Sequence, residues 1–442
     1  MTLFYKKSIA RIIPLLLLVL FFNSKNTFAA NPLATNLRTN FTVNPLGIDD
    51  TKLRLSWEMQ AAGRSEMQTA YQIIVASSAV NIHQGKGDVW STGKMLSSES
   101  NNIVYSGAAL KSGKKYYWRV KIWDKKGISS VWSNTATWEM GLLNTADWLN
   151  AKWISNNDTS TVSPLFRRKF STGKAIKRAR VYATARGVYD LYINGKRVSN
   201  DALNPGCTDY RKRIQYQCFD VTANLQPGAN AIGAMLGDGW YRGNNADWGR
   251  NIYGNTLSFL CLLYIEYRDG STQKVISDQS WKAALSPMIS NDPLIGVTYD
   301  ANKEIRGWST ATINDSKWVS AGTAKAYPGK VVAQTGPTVQ VTQLMPAKKR
   351  TMPKPGVYIF DVGQNMVGWG RLKVKGKAGT KVTLRFGEMI KDDGTLFTAN
   401  LRKAIQTDVY ILKGGETEIF EPRFTFHGFR YVEVTGYPGT PT

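Results

Sequence analysis

The run LGDGWYRGNNADWG places Asp238, Trp240, Tyr241, Arg242, Asn244, Asn245, Asp247 and Trp248 within one turn-rich stretch. Those types suit polyhydroxylated ligands. Aromatic faces cover C–H patches, with ring contacts worth about 1 kcal/mol beyond the area buried. Carboxylates accept from hydroxyls, amides both donate and accept, and the glycines let the backbone come close. The same residues also suit a purely structural turn, because Trp240 and Tyr241 can pack a core and Asn and Asp are ordinary turn residues.

Other chemistry is thinly supplied. His83 and His427 are the two histidines of the chain, which excludes a multi-histidine zinc cage and makes any Ser-His-Asp or Cys-His machinery hang on one of them. His427 sits among aromatic residues in FTFHGFRY and reads as a structural histidine. Asp238, Asp247, Glu388, Asp392, Asp393, Glu416, Glu418 and Glu421 all fall among polar turns, where carboxylates stay solvated and ionised. A general acid needs a buried setting that raises its pKa, and nothing in the pattern signals one. Cys207 and Cys218 bracket CTDYRKRIQYQC and are open to two readings, a disulfide between neighbouring strands or free core thiols; Cys261, inside SFLCLLYIEY, reads as buried.

The elements that must position these residues are strands. Period-two alternation recurs in Tyr71, Ile73, Val75, in Tyr116, Trp118, Val120, Ile122, in Val181, Ala183, Ala185 and in Val382, Leu384, Phe386. Asn194-Gly195, between YDLYI and KRV, is a type I′ hairpin signal, since that turn needs positive φ at both central residues. Past the first segment, no long stretch follows a helical period. The expected fold class is all-β, with three β-sandwich domains in series and almost no helix.

The chain has 442 residues and a net charge of +25. Its 43% hydrophobic content excludes wholesale disorder. Lys6, Lys7 and Arg11 precede an apolar run, Ile12 to Phe22, and small residues end at Ala29 and Ala30, the order of a secretory signal. The run is shorter than the roughly 20 residues that span a bilayer. The expected location is therefore secreted or periplasmic. Lys and Arg are spread rather than gathered into a nucleic-acid fingerprint, so the diffuse charge suits a solvated face or an acidic polysaccharide.

The expected domains are a signal peptide at 1–29 and sandwiches at 30–142, 143–326 and 327–442. The first sandwich resembles a fibronectin type III module. The second contains RARVYATARGVYDLYINGKRVSNDALNPGCTDYRKRIQYQCFDV and the third FDVGQNMVGWGRLKVKG followed by FEPRFTFHGFRYVEVTGYPG. Both resemble the amino-terminal β-sandwiches of bacterial α-L-rhamnosidases. That resemblance implies inverting removal of terminal L-rhamnose by a helical barrel placed after the YVEVTG strand, and this chain offers no position that matches the barrel's catalytic acids. It implies a non-catalytic, carbohydrate-binding portion at Asn200, Asp201, Asp238, Trp240, Tyr241 and Asn244, or else a packing partner for a separately encoded barrel. Similarity to calcium-dependent rhamnose-binding modules adds calcium as an expected cofactor at Asn200-Asp201, where the order of the two residue types is reversed. A structural multi-domain surface protein without a ligand is the remaining alternative.

Overall fold

The computed structural model describes residues 32–61, 63–156 and 160–442. The expected signal segment, 1–29, lies outside the described residues.

The chain is all-β, with sandwich domains in series. Among the described residues the longest helix is the five-residue Ala79–His83. In the first domain a small sheet (Leu33–Thr39, Arg54–Gln60, Ile103–Val104) faces a larger one built around Ala70–Ala76 and Lys115–Trp123. Tyr116, Trp118, Val120 and Ile122 alternate inward along Lys115–Trp123 and meet Trp57 and Trp138 in the core. The tryptophans of this block are packing residues, as their spacing requires.

The second domain pairs Ile176–Arg186 with Ser258–Tyr267 in one sheet, and Val188–Ile193 with Gly228–Gly237 in the other. Val181, Ala183 and Ala185 point into the core between them, with Cys261 fully buried there. Asn194 and Gly195 take φ of 50° and 82°, the I′ geometry that brings Lys196–Arg197 back against Tyr192 and Ile193. Cys207, Cys218 and Cys261 are free, so the disulfide reading is set aside.

Sheet membership in the third domain departs from chain order. Its main sheet runs Met288–Asp292, Gly296–Asp300, Thr407–Ile411, Lys381–Gly387, His427–Thr435, Val357–Gly368, Lys349–Lys354. The first two strands come from the last third of the second block, and the chain then returns to the second domain at Val319–Ser320, Gly322–Thr323 and Lys330–Ala333. Thr298–Asp300 pairs in parallel with Val409–Ile411, and Met288 and Val297 are buried with Val382, Phe386 and Tyr410. A cut at 326/327 therefore does not separate the sheets. The hairpin leaves its sequence neighbours because its apolar face is complementary to the third sheet. Leu165, Val188 and Met235 of the second domain join the same core.

The first two domains are also tied. Arg180 donates from Nε and Nη2 to the two carboxylate oxygens of Glu139, each at 2.9 Å, and the Tyr216 hydroxyl accepts from the Leu142 backbone N–H at 2.8 Å.

Candidate functional site

The loop that follows strand Gly228–Gly237 folds inward. Asp238 is completely buried, and its Oδ1 accepts from Arg242 Nε at 2.7 Å and Nη2 at 2.6 Å. Its Oδ2 is held by Arg250, whose other guanidinium nitrogen reaches Asp292 Oδ2 at 3.3 Å. Asn244 donates both its backbone N–H and its side-chain amide to Asp292 Oδ2, each at 2.8 Å. The Asp238 N–H donates to Asn291 Oδ1 at 2.7 Å. Burial pushes the Asp238 carboxyl up against the opposing pull of Arg242 and Arg250. Two carboxylates, two guanidiniums and two amides thus satisfy one another across the junction between the loop and the hairpin at 288–300, as buried charges must.

This arrangement corrects the expectation for Asp238, both of whose carboxylate oxygens are taken by guanidiniums. Asn244 gives its backbone N–H and side-chain nitrogen to Asp292, and both residues fasten the loop to the third domain's sheet. Tyr241 is buried too, edge-on to Tyr210 with ring centroids 5.6 Å apart. Trp240 is half-buried and tilted against Phe426, 6.4 Å between centroids. Asp292, Arg250 and Asn291 complete the network and were missed by sequence reasoning, because the hairpin that carries two of them gives no sign of which sheet it will join.

Asn200 is exposed, and Asp201 is buried beneath it. Asp201 Oδ1 accepts from the Thr338 hydroxyl at 2.8 Å and from Gln340 Nε2 at 2.7 Å. A calcium ion asks for six to eight oxygen ligands and several carboxylates. Here a hydroxyl and an amide already donate to one carboxylate oxygen, and among the described residues no three His, Cys, Asp or Glu gather as a metal set. The donor set does not fit calcium, and no step is assigned to a metal.

His427 is buried, stacked on Phe386 at 4.3 Å, with Nε2 3.1 Å from Asp408 Oδ2 and Nδ1 without a hydrogen-bond partner among the described residues. It is a structural residue of the third core. Glu418, the most buried of the third block's turn acids, accepts from the Tyr410 hydroxyl at 2.8 Å.

The open feature of this region is apolar. Beside the third sheet the connector at 339–346, the end of strand Val357–Gly368 and the rings of Trp240, Trp369 and Phe426 frame a groove of about 730 Å³. Val367 is 73% exposed and Leu344 70%. Arg371 and Glu421 form an ion pair of 3.1 Å at its rim. The sequence signal was present in GQNMVGWG, where Met366, Val367 and Trp369 crowd apolar groups at the end of a strand.

The architecture is one of β-sandwiches in series, tied together by internally satisfied charges, and comparison with known proteins gives it a family. Residues 34–144 match the Rha78A-like N-terminal immunoglobulin domain, 174–343 the α-L-rhamnosidase N-terminal domain, and 351–442 the bacterial α-L-rhamnosidase concanavalin-like domain. The immunoglobulin description replaces the fibronectin type III resemblance; both are two-sheet sandwiches. The chain is 33% identical to an α-L-rhamnosidase of Streptomyces avermitilis, over 92% of this chain and 56% of that protein. It is 39% identical to one from Alteromonas sp., over 90% of this chain and 44% of that protein. A solved α-L-rhamnosidase structure from Dictyoglumus thermophilum superposes with a TM-score of 0.88 at 41% identity, covering 93% of this chain and 47% of that one. The Streptomyces avermitilis enzyme, solved in complex with L-rhamnose, also gives 0.88, at 33% identity, covering 93% of this chain and 56% of that one. The chain carries, in series, the amino-terminal β-domains found in α-L-rhamnosidases, and it spans about half the length of the relatives it matches.

Proposed function

We propose that this chain is the non-catalytic portion of a secreted or periplasmic α-L-rhamnosidase acting on rhamnose-containing glycans, and that it seats a catalytic domain in the groove beside Val367. The groove carries this reading. Contiguous apolar surface of this kind is left open where another surface is to cover it, and the relatives that share these domains carry about as much chain again. Inverting hydrolysis needs two carboxyl groups facing each other across the scissile bond, roughly 6.5 to 9.5 Å apart. The buried carboxylates described above each hold at least one guanidinium, amide, hydroxyl or imidazole partner, and no two of them face each other across an open cleft, which supports placing the chemistry on the seated domain. The net positive charge supports long-range attraction of acidic polysaccharide, screened beyond about 8 Å at physiological salt.

The test is reconstitution. The full chain is mixed with the separately produced remaining half of the Alteromonas relative, and co-elution and release of nitrophenol from an aryl α-L-rhamnoside are followed. A stoichiometric complex, together with no turnover by this chain alone, is the expected result. Turnover by the chain alone, or no complex at micromolar concentration, would overturn the proposal.

A further inference from the structure

A second cavity lies at the junction of the first and second domains, next to the groove along the connector at 338–340. Leu46-Gly47, the strand residues Tyr216 to Phe219 and the connector from Gln334 to Thr338 enclose about 150 Å³ beside Asp201. A water takes about 30 Å³ of liquid volume, so the space suits a molecule of several heavy atoms. Its walls are polar groups taken out of bulk solvent: Asp201 is 8% exposed and Gln217 4%. Gln217 is fixed from both sides, its Oε1 accepting from the Tyr189 hydroxyl at 2.7 Å and its Nε2 donating to Gln334 Oε1 at 2.7 Å.

Two groups are left over. Asp201 Oδ1 is used by Thr338 and Gln340, while among the described residues its Oδ2 has no hydrogen-bond partner. The Gln334 Nε2 has one approach, 3.5 Å to the Gly336 carbonyl, at the limit of a hydrogen bond. A carboxylate acceptor and an amide donor thus stand over a cavity that Phe219 and Tyr216 also line. Adjacent hydroxyls match that pair, one donating to Asp201 and the next accepting from Gln334. An anion is opposed by the Asp201 charge.

We infer that this pocket binds a small uncharged polyol or monosaccharide through Asp201 and Gln334. It adjoins the groove, whose lining includes the Asp201 partner Gln340, and it is read by sugar binding to this chain alone, whereas the groove is read by association with the catalytic half.

The full chain is titrated with L-rhamnose by isothermal titration calorimetry, with galacturonate as the charged control. A saturable heat of binding for L-rhamnose, with galacturonate ineffective, is the expected result. Gln334→Leu and Asp201→Asn should each weaken that binding about fivefold to tenfold, the loss of one hydrogen bond, while melting curves report that the variants fold. No binding at any sugar concentration, equal binding of galacturonate, or binding unchanged in both folded variants would overturn it.

Discussion

The loop from Asp238 to Arg250 and the groove beside Val367 adjoin at the junction of the second and third domains, with Trp240 at their border, yet their chemistry is opposite. The loop is rich in the residue types that recognise sugars and spends them largely on itself: every carboxylate oxygen of Asp238 meets a guanidinium, and Asn244 donates its backbone N–H and side-chain amide to Asp292. The groove is made of residue types that read as core and leaves them in water. Polar character in a sequence therefore marks the internal fastening here, and apolar character marks the surface still open to a partner. The physical reason is that a buried charge must find its counter-charge within the fold, whereas an apolar side chain can remain exposed until another surface covers it.

The sharpest way to break this contrast is Asp238→Ala. It leaves Arg242 buried and both guanidiniums without their main counter-charge, so the urea unfolding free energy should fall by about 3–5 kcal/mol. A loss below about 1 kcal/mol would mean that the network is not what holds the loop to the hairpin. A smaller effect on stability but a larger one on association is expected from Leu344→Asp and Val367→Asp. Both positions are exposed, so stability should stay within about 0.5 kcal/mol. Association with the catalytic half, measured by co-elution, should nevertheless be lost. If both variants still associate, the seat lies elsewhere.

The smallest effect concerns pH. Asp361 lies across the strand pair from Arg430, whose guanidinium donates to it at 2.9 Å through Nε and Nη2 and holds its carboxyl below the usual carboxylate value. A depressed folded-state pKa stabilises above the unfolded value and is lost as pH falls through the folded one. The stability difference between the parent and Asp361→Asn should therefore be constant from neutral pH down to about 4 and vanish below it. A difference that grows on acidification would contradict this ion pair. Because the pair is partly exposed, added salt should shrink it.

Much of the fold was legible in residues alone. The alternation of Tyr116, Trp118, Val120 and Ile122 became an inward-facing row because side chains on a strand repeat every two residues. Asn194-Gly195 became a tight hairpin because few residues accept positive φ twice in succession. The motif runs around Tyr216 and His427 were enough to place the chain among the rhamnosidase β-domains. Those are local or near-local properties, and a linear pattern can carry them.

Tertiary structure decided the rest. An aspartate after a glycine turn has the same sequence whether it faces a sugar or an arginine; Arg242 pairs with Asp238 from one turn away, but only the arrival of Arg250 and the hairpin carrying Asn291 and Asp292 closed the network around it. The hairpin's allegiance to the third sheet was equally hidden, because strand pairing is settled by the fit of distant apolar faces, here Met288 and Val297 against Val382 and Phe386. Strand period and turn chemistry are fixed by neighbours in the chain; charge pairing and the choice of sheet depend on which surfaces meet in space, and that is where sequence reading and structure parted.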